Sequence, residues 1–237
     1  MNLILVNQQD FIDTNIVRLQ DRRLEHIRHI HQAQLGQSLR VGLINGKMGS
    51  GLVLAIDDNS VTLNLDLHQE PSTALNLTLI LALPRPKMLK RILQNVSALG
   101  VKDVYLINSY KVDKSYWSTP ILQPEAANAE LQLGLEQAVD TSLPNLYLRK
   151  RFKPFVEDEL VDIASHSRKL VAHPYQSQPS PNASDEKTTL VIGPEGGFID
   201  YEVDKLQQLG FNSMSLGSRI LKVETAIPVA IAKLCCF

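Results

Sequence analysis

Between residues 75 and 234, short apolar runs alternate with segments of helical period, and this alternation restricts the chain to a mostly parallel sheet covered on both faces. Leu75–Leu83, Val101–Ile107, Leu146–Arg149, Lys169–His173, Thr189–Ile192 and Ser213–Leu216 carry the strand pattern. Lys87–Leu99, Pro124–Val139, Phe155–Ala164, Glu202–Leu209 and the segment after Glu224 carry the helix pattern. In the first of these helices Leu89, Ile92, Leu93, Val96 and Leu99 recur at helical spacing, and Gly100 stands where a helix C′ residue would. Gln176–Lys187, rich in Ser, Pro, Asn and Asp, predicts a surface loop.

The first 72 residues have a different texture. Leu3–Val6, Leu39–Ile44, Leu52–Ile56 and Val61–Leu67 are short apolar runs separated by Asn45-Gly46-Lys47, Gly49-Ser50-Gly51 and Asp57-Asp58-Asn59, which are hairpin-turn signals. One helical stretch, Leu24–Leu35, interrupts them. The pattern predicts a small β-barrel over residues 1–72, joined through Glu70-Pro71-Ser72-Thr73 to an α/β domain over residues 73–237.

Three strand ends carry the chemistry. The strand Leu190-Val191-Ile192 runs into Gly193-Pro194-Glu195-Gly196-Gly197, where glycines let the backbone approach a ligand closely. Ligands of α/β sheets bind at the carboxyl ends of strands. The spacing is neither the dinucleotide fingerprint nor a P-loop, and a structural turn without a ligand is the alternative. Ser215-Leu216-Gly217-Ser218-Arg219-Ile220-Leu221-Lys222-Val223-Glu224-Thr225-Ala226 repeats the strand, glycine turn and polar loop, and predicts a helix with Thr225 as N-cap and Pro228 in its first turn. Arg219 and Glu224 in that loop are a catalytic pair or a local salt bridge. Leu170-Val171-Ala172-His173-Pro174 ends a third strand.

Val191–Gly197 and Leu216–Ala226, about 20 residues apart in this order, resemble the signature motifs of the knotted SPOUT methyltransferases, specifically the ribosomal RNA uridine N3-methyltransferases often called RsmE. Lys87–Val101, ending in Leu-Gly-Val, and the pair Glu136-Gln137 extend the resemblance upstream. The resemblance implies an N-terminal PUA-like β-barrel, a C-terminal SPOUT α/β domain with a trefoil knot, and a homodimer. It implies S-adenosylmethionine as cofactor, held by Ala172, His173, Ile192, Gly193, Gly196, Leu216, Gly217, Ile220 and Leu221. It implies ribosomal RNA in the small ribosomal subunit as partner, with Arg219 facing the uridine oxygens and Glu224 orienting Arg219 or acting as base. Methylation of another RNA, and cofactor binding without catalysis, are the alternatives.

The chain also departs from that family. Val139-Asp140 stand where Gly-Arg usually follows Glu-Gln, with Ser142 shortly after; Lys222 replaces an Arg, and Tyr110-Lys111 lie near another usual Arg. Lys111, Arg149 and Lys150 are candidates to compensate for the charge reversed at Asp140. No basic residue falls in Met1–Val6.

Lys plus Arg number 24 against 25 Asp plus Glu, so RNA contact must come from local patches and not from net charge. Arg22, Arg23, Arg28 and Arg40 form one candidate patch; Lys87, Lys90 and Arg91 form another; solvated helix faces are the alternative reading. Cys235 and Cys236, adjacent and without metal-ligand spacing, read as reduced thiols. No apolar run reaches the roughly 18–20 residues of a membrane span, which predicts a cytoplasmic protein with no membrane partner.

Overall fold

The computed structural model describes residues 2–175 and 177–236. The chain divides into two compact units, Met1–Thr73 with Gln132–Leu143, and Ala74–Leu131 with Pro144–Phe237. Residues 132–143, which the sequence division assigns to the second part, cluster with the first.

Among its described residues the first unit is one six-stranded sheet, ordered β1 (Ile4–Val6), β4 (Ser38–Leu43), β5 (Met48–Ile56), β6 (Val61–Gln69), β3 (Ile16–Leu19) and β2 (Phe11–Asp13). The sheet curls but does not close: no described pairing joins β1 to β2, so the expected barrel is a half-barrel. The sequence reading lacks the β2–β3 hairpin, whose strands are too short to establish a period. β1 is apolar at every position because both its faces are buried. Ile4 and Val6 join the core of the curl with Val17, Leu19, Ile27, Val41 and Leu63, while Leu3 and Leu5 pack with Met48 and Leu135.

Gly49-Ser50-Gly51 is not a turn but lies inside β5. A side chain at Gly49 would collide with the Asp66 carbonyl where the β5–β6 register slips, so the glycine serves close strand approach at a bulge. The helix expected over Leu24–Leu35 is shorter: α1 spans Arg22–His29 and is N-capped by Asp21, whose carboxylate accepts from Arg23 N at 2.9 Å.

The second unit is a parallel sheet of seven described strands, ordered β11 (Gln178–Pro179), β13 (Asn212–Ser215), β10 (Arg168–Ala172), β12 (Thr188–Ile192), β7 (Leu77–Ala82), β8 (Asp103–Ile107) and β9 (Asn145–Arg149). Every residue of β7 and β12 is buried, as a strand covered on both faces requires. Helix α2 (Pro86–Ala98) buries Leu89, Ile92, Leu93 and Val96, and α3 spans Pro124–Ala138. The expected helix Phe155–Ala164 is irregular: α4 (Phe152–Pro154), a π turn (Phe155–Glu159) and α5 (Leu160–Ile163) follow one another. Within the predicted loop 176–187, β11 pairs in parallel with β13; Gln176 lies outside the described residues. Helix α6 spans Asp200–Gln208 and α7 spans Val223–Leu234. Lys222, not Thr225, occupies the α7 N-cap, and Pro228 lies inside the helix beyond its first turn.

Candidate active site

The order β13–β10–β12 sets the three motif-bearing strands side by side and in parallel, so their carboxyl ends share one edge of the sheet. Ala172 is level with Ile192 on one side and Met214 on the other, and His173 N donates to Met214 O at 3.0 Å. Ala172, His173, Ile192, Gly193, Leu216 and Gly217 are thereby gathered from three distant stretches of chain. Two apolar side chains of the last loop, Ile220 and Leu221, follow within a few residues, with Ile220 largely exposed.

Each loop is closed locally. Gly197 N donates to Pro194 O at 2.8 Å, and the Glu195 carboxylate accepts from Arg85 N, the residue that caps α2, at 3.0 Å. A carboxylate at a helix N-terminus meets unpaired amides and the positive end of the helix dipole. After β13, the Ser215 hydroxyl donates to Gly217 O (3.0 Å) and accepts from Gly217 N (3.2 Å). Gly217 has φ +134°, which L side chains rarely adopt, and the space where its side chain would stand is open.

Lys111, from the loop after β8, crosses to the Gly193–Gly197 loop. Its ammonium donates to Gly196 O at 2.8 Å, and its stem lies 3.0 Å from where a Gly196 Cβ would be, so a side chain there would have to push the lysine stem aside by a few tenths of an ångström. Burial pushes the His173 imidazole below its ordinary range; Asp200 opposes that shift and Lys111 adds to it. His173 is therefore neutral around neutral pH, with its ring edge-on to Tyr175. Sequence reasoning missed the roles of Lys111, Glu195 and Glu202. Glu202 is buried and accepts from Tyr110 N (2.8 Å) and Ile199 N (3.1 Å). These partners lie 85 to 110 residues away for the loop contacts, beyond any local pattern.

Arg219 and Glu224 do not form the expected pair. Arg219 is exposed and Glu224 half-buried in the first turn of α7, and among the described residues no hydrogen bond or ion pair joins them. The candidate RNA patch of the first unit is largely neutralised. Arg22 is bidentate to Glu136 (2.9 and 2.7 Å), and Arg28 pairs with Asp58. Arg23 is only 8% exposed and binds Asp10, Asp21 and the Leu5 carbonyl. Burial disfavours its charge, but the two carboxylates outweigh that and hold it above its ordinary value. Arg23 is a structural arginine and is withdrawn as an RNA contact. Lys87 and Arg91 are exposed on α2.

Asp140 is buried as well. It is 5% exposed, and its Oδ1 accepts from Thr141 N (2.7 Å) and Ser142 N (3.1 Å), capping the turn that follows α3. The cations considered as its compensators have other engagements: Arg149 Nε donates to both Glu159 oxygens (2.9 and 2.6 Å), Lys150 Nζ lies 6.0 Å from the Trp117 ring centre, and Lys111 holds Gly196.

The sequence profile of the RNA methyltransferase domain matches residues 70–235, more than half of the chain. The chain belongs to that family. Within it, the chain is similar to the ribosomal RNA small subunit methyltransferase E of Treponema pallidum, 27% identical with 98% of this chain and 90% of that protein covered. It is also similar to ribosomal RNA small subunit methyltransferase E 1 of Borreliella burgdorferi, 23% identical over 95% and 94%. The solved ribosomal RNA small subunit methyltransferase E of Neisseria gonorrhoeae, bound to S-adenosyl methionine, superposes with a TM-score of 0.78 at 18% identity, covering 98% and 95%. At that identity the match speaks for the fold alone, a curled six-stranded half-barrel and a parallel α/β sheet, which is consistent with the PUA-like barrel and SPOUT domain that the resemblance implies.

The residues at the three strand ends fit the cofactor that the family implies. Ile192, Leu216 and Leu221 are apolar, and the space at Gly217 is open and would be filled by a side chain.

Proposed function

We propose that this RNA methyltransferase uses S-adenosylmethionine to methylate N3 of a uridine in the 16S ribosomal RNA of the small ribosomal subunit. The observation that carries the reading is the convergence of the Val191–Gly197 and Leu216–Ala226 motifs on the ends of two parallel strands, β12 and β13, that flank β10 and its Ala172-His173 end. The small-subunit methyltransferase names of the relatives support the ribosomal target. When bound, the cofactor supplies an electrophilic methyl group. Ala172, His173, Ile192, Gly193, Gly196, Leu216, Gly217, Ile220 and Leu221 hold it; neutral His173 adds no charge against a sulfonium.

Methylation at N3 requires loss of the N3 proton, which leaves negative charge on O2 and O4 of the uracil. Arg219, exposed and without a hydrogen-bond or ion-pair partner among the described residues, is the cation assigned to those oxygens. Among the described residues Glu224 makes no hydrogen bond or ion pair to Arg219, so in this reading it accepts the N3 proton. Lys87 and Arg91 contact the RNA backbone. The knot of the resemblance and the homodimer belong to the same proposal; Ile220, large, apolar and exposed, is a side chain that a second copy would cover. A cytoplasmic setting is supported by the two free cysteines, and no described helix is long and apolar enough to cross a membrane.

The non-catalytic reading rests on Asp140 having replaced a substrate-facing cation; the carboxylate itself is buried and caps a turn, and Arg219 is the cation that the proposal relies on instead. Mapping N3-methyluridine in ribosomal RNA from cells with and without the gene tests the proposal. Loss of one such nucleotide without the gene supports it; an unchanged map overturns it.

A further inference from the structure

The loop that follows β8 is fixed at every residue from 108 to 112. Asn108 N donates to Arg149 O at 2.9 Å, and its side-chain oxygen accepts from Trp117 Nε1 at 2.9 Å. Val112 N donates to Ser109 O at 3.1 Å, Tyr110 N to the buried Glu202 carboxylate at 2.8 Å, and Lys111 Nζ to Gly196 O at 2.8 Å. Burying a carboxylate is costly unless it is hydrogen-bonded, and Glu202 gives one of its two bonds to this loop. Yet the ring of Tyr110 is 78% exposed and makes no ring or hydroxyl contact among the described residues. A single exposed aromatic on a mobile loop would need no explanation. Here the backbone is rigidly held and the ring is turned outward.

Two more tyrosines stand on the same rim. Tyr175, after β10, is 62% exposed and edge-on to His173 at 5.9 Å; Tyr201, in the first turn of α6, is 47% exposed. Lys114, just past the loop, is an exposed cation, and Lys111 is exposed as well, with its ammonium on Gly196 O. Exposed aromatics interleaved with cations suit single-stranded nucleic acid, because every base offers a π-face and every linkage a negative charge. A uridine whose N3 edge must be reached has to leave its stack and its pair, which leaves its neighbours unstacked as well.

We propose that Tyr110 is a stacking platform for an unpaired nucleobase next to the methylated uridine, on the strand-end rim that Glu202 and Lys111 make rigid. This inference rests on the RNA methyltransferase reading above. Tyr110→Ala and Tyr110→Phe are compared with the parent for binding of a fluorescent single-stranded oligouridine and of duplex RNA of equal length, with melting temperature and solution mass as controls. Tyr110→Ala should weaken single-strand binding about fivefold or more, and Tyr110→Phe should stay within about twofold of the parent, since the ring stacks and the hydroxyl does not. Duplex binding and melting temperature should not change. Unchanged single-strand affinity in Tyr110→Ala overturns the proposal, as does an equal loss in Tyr110→Phe. A halved solution mass in Tyr110→Ala also overturns it, because the ring would then belong to a contact between copies. A parent protein that binds no RNA at all removes the underlying function instead, so the two failures are told apart.

Discussion

Arg22 meets Glu136 fork to fork, Nη1 to Oε2 at 2.9 Å and Nη2 to Oε1 at 2.7 Å, across 114 residues of sequence. The carboxylate is buried and the guanidinium about half exposed. Both residues carry a functional suggestion in the sequence, Arg22 as an RNA contact and Glu136 as part of a family pair; in the structure each is the other's partner. Arg22→Ala leaves a buried carboxylate without its counterion and is expected to cost about 2 kcal/mol, discounted for the exposed side of the pair. Urea unfolding measures it, and RNA affinity should change little beside Lys87→Ala.

Asp140→Arg tests the capping role. A guanidinium forced into this buried turn, with two amide bonds lost, should destabilise the protein by roughly 2–4 kcal/mol. Asp140→Asn keeps an accepting oxygen and should cost about 1 kcal/mol or less. Equal stability of Asp140→Arg and the parent would contradict the capping assignment.

Val139 has φ +59°, a left-handed angle that a β-branched residue adopts only under strain, while its side chain packs on the cluster of Leu3, Leu5, Met48 and Leu135. The two effects oppose. Val139→Gly should therefore stay within about 1 kcal/mol of the parent, because relief of backbone strain offsets lost packing. A loss of about 3 kcal/mol, as for an unstrained core valine, would show that packing alone governs the site.

Removing Arg219, exposed and unpartnered among the described residues, should leave stability within about 0.5 kcal/mol. Turnover of Arg219→Ala on hypomethylated small subunits should fall about 100-fold or more if the guanidinium meets developing charge. Turnover at the parent level would dismiss Arg219 from the chemistry.

Gly217→Val combines a disallowed backbone angle with a side chain in the open space. Calorimetry should find cofactor affinity reduced about tenfold or more, a change of about 1.4 kcal/mol.

The depressed pKa of His173 sets a pH dependence. The folded state resists protonating the imidazole, so the unfolded chain binds more protons as pH falls through the ordinary value of about 6.5, and stability is lost on the acid side. Above that value the group is neutral in both states and contributes no slope. Between about pH 7 and about pH 5, His173→Gln should lose less melting temperature than the parent.

The sequence by itself determined the α/β alternation, the strand-rich first 72 residues, and the two glycine-bearing motifs at strand ends. These are local signals: a period of two or 3.6 residues and turn chemistry are written in neighbouring positions. It also put Ala172, His173, Ile192 and Gly217 at or just past strand ends, because a motif that ends a strand carries its own position. Only the tertiary structure decided which charges are free. Arg22, Arg23 and Arg28 read as a basic patch until their carboxylate partners are seen, and Asp140 reads as a reversed charge until its burial is known. It alone decided that β13, β10 and β12 lie side by side and that Lys111 reaches Gly196 across 85 residues. The reason is physical: a charge acts according to its solvent exposure and its nearest counter-charge, and both are set by contacts between segments that the sequence keeps far apart.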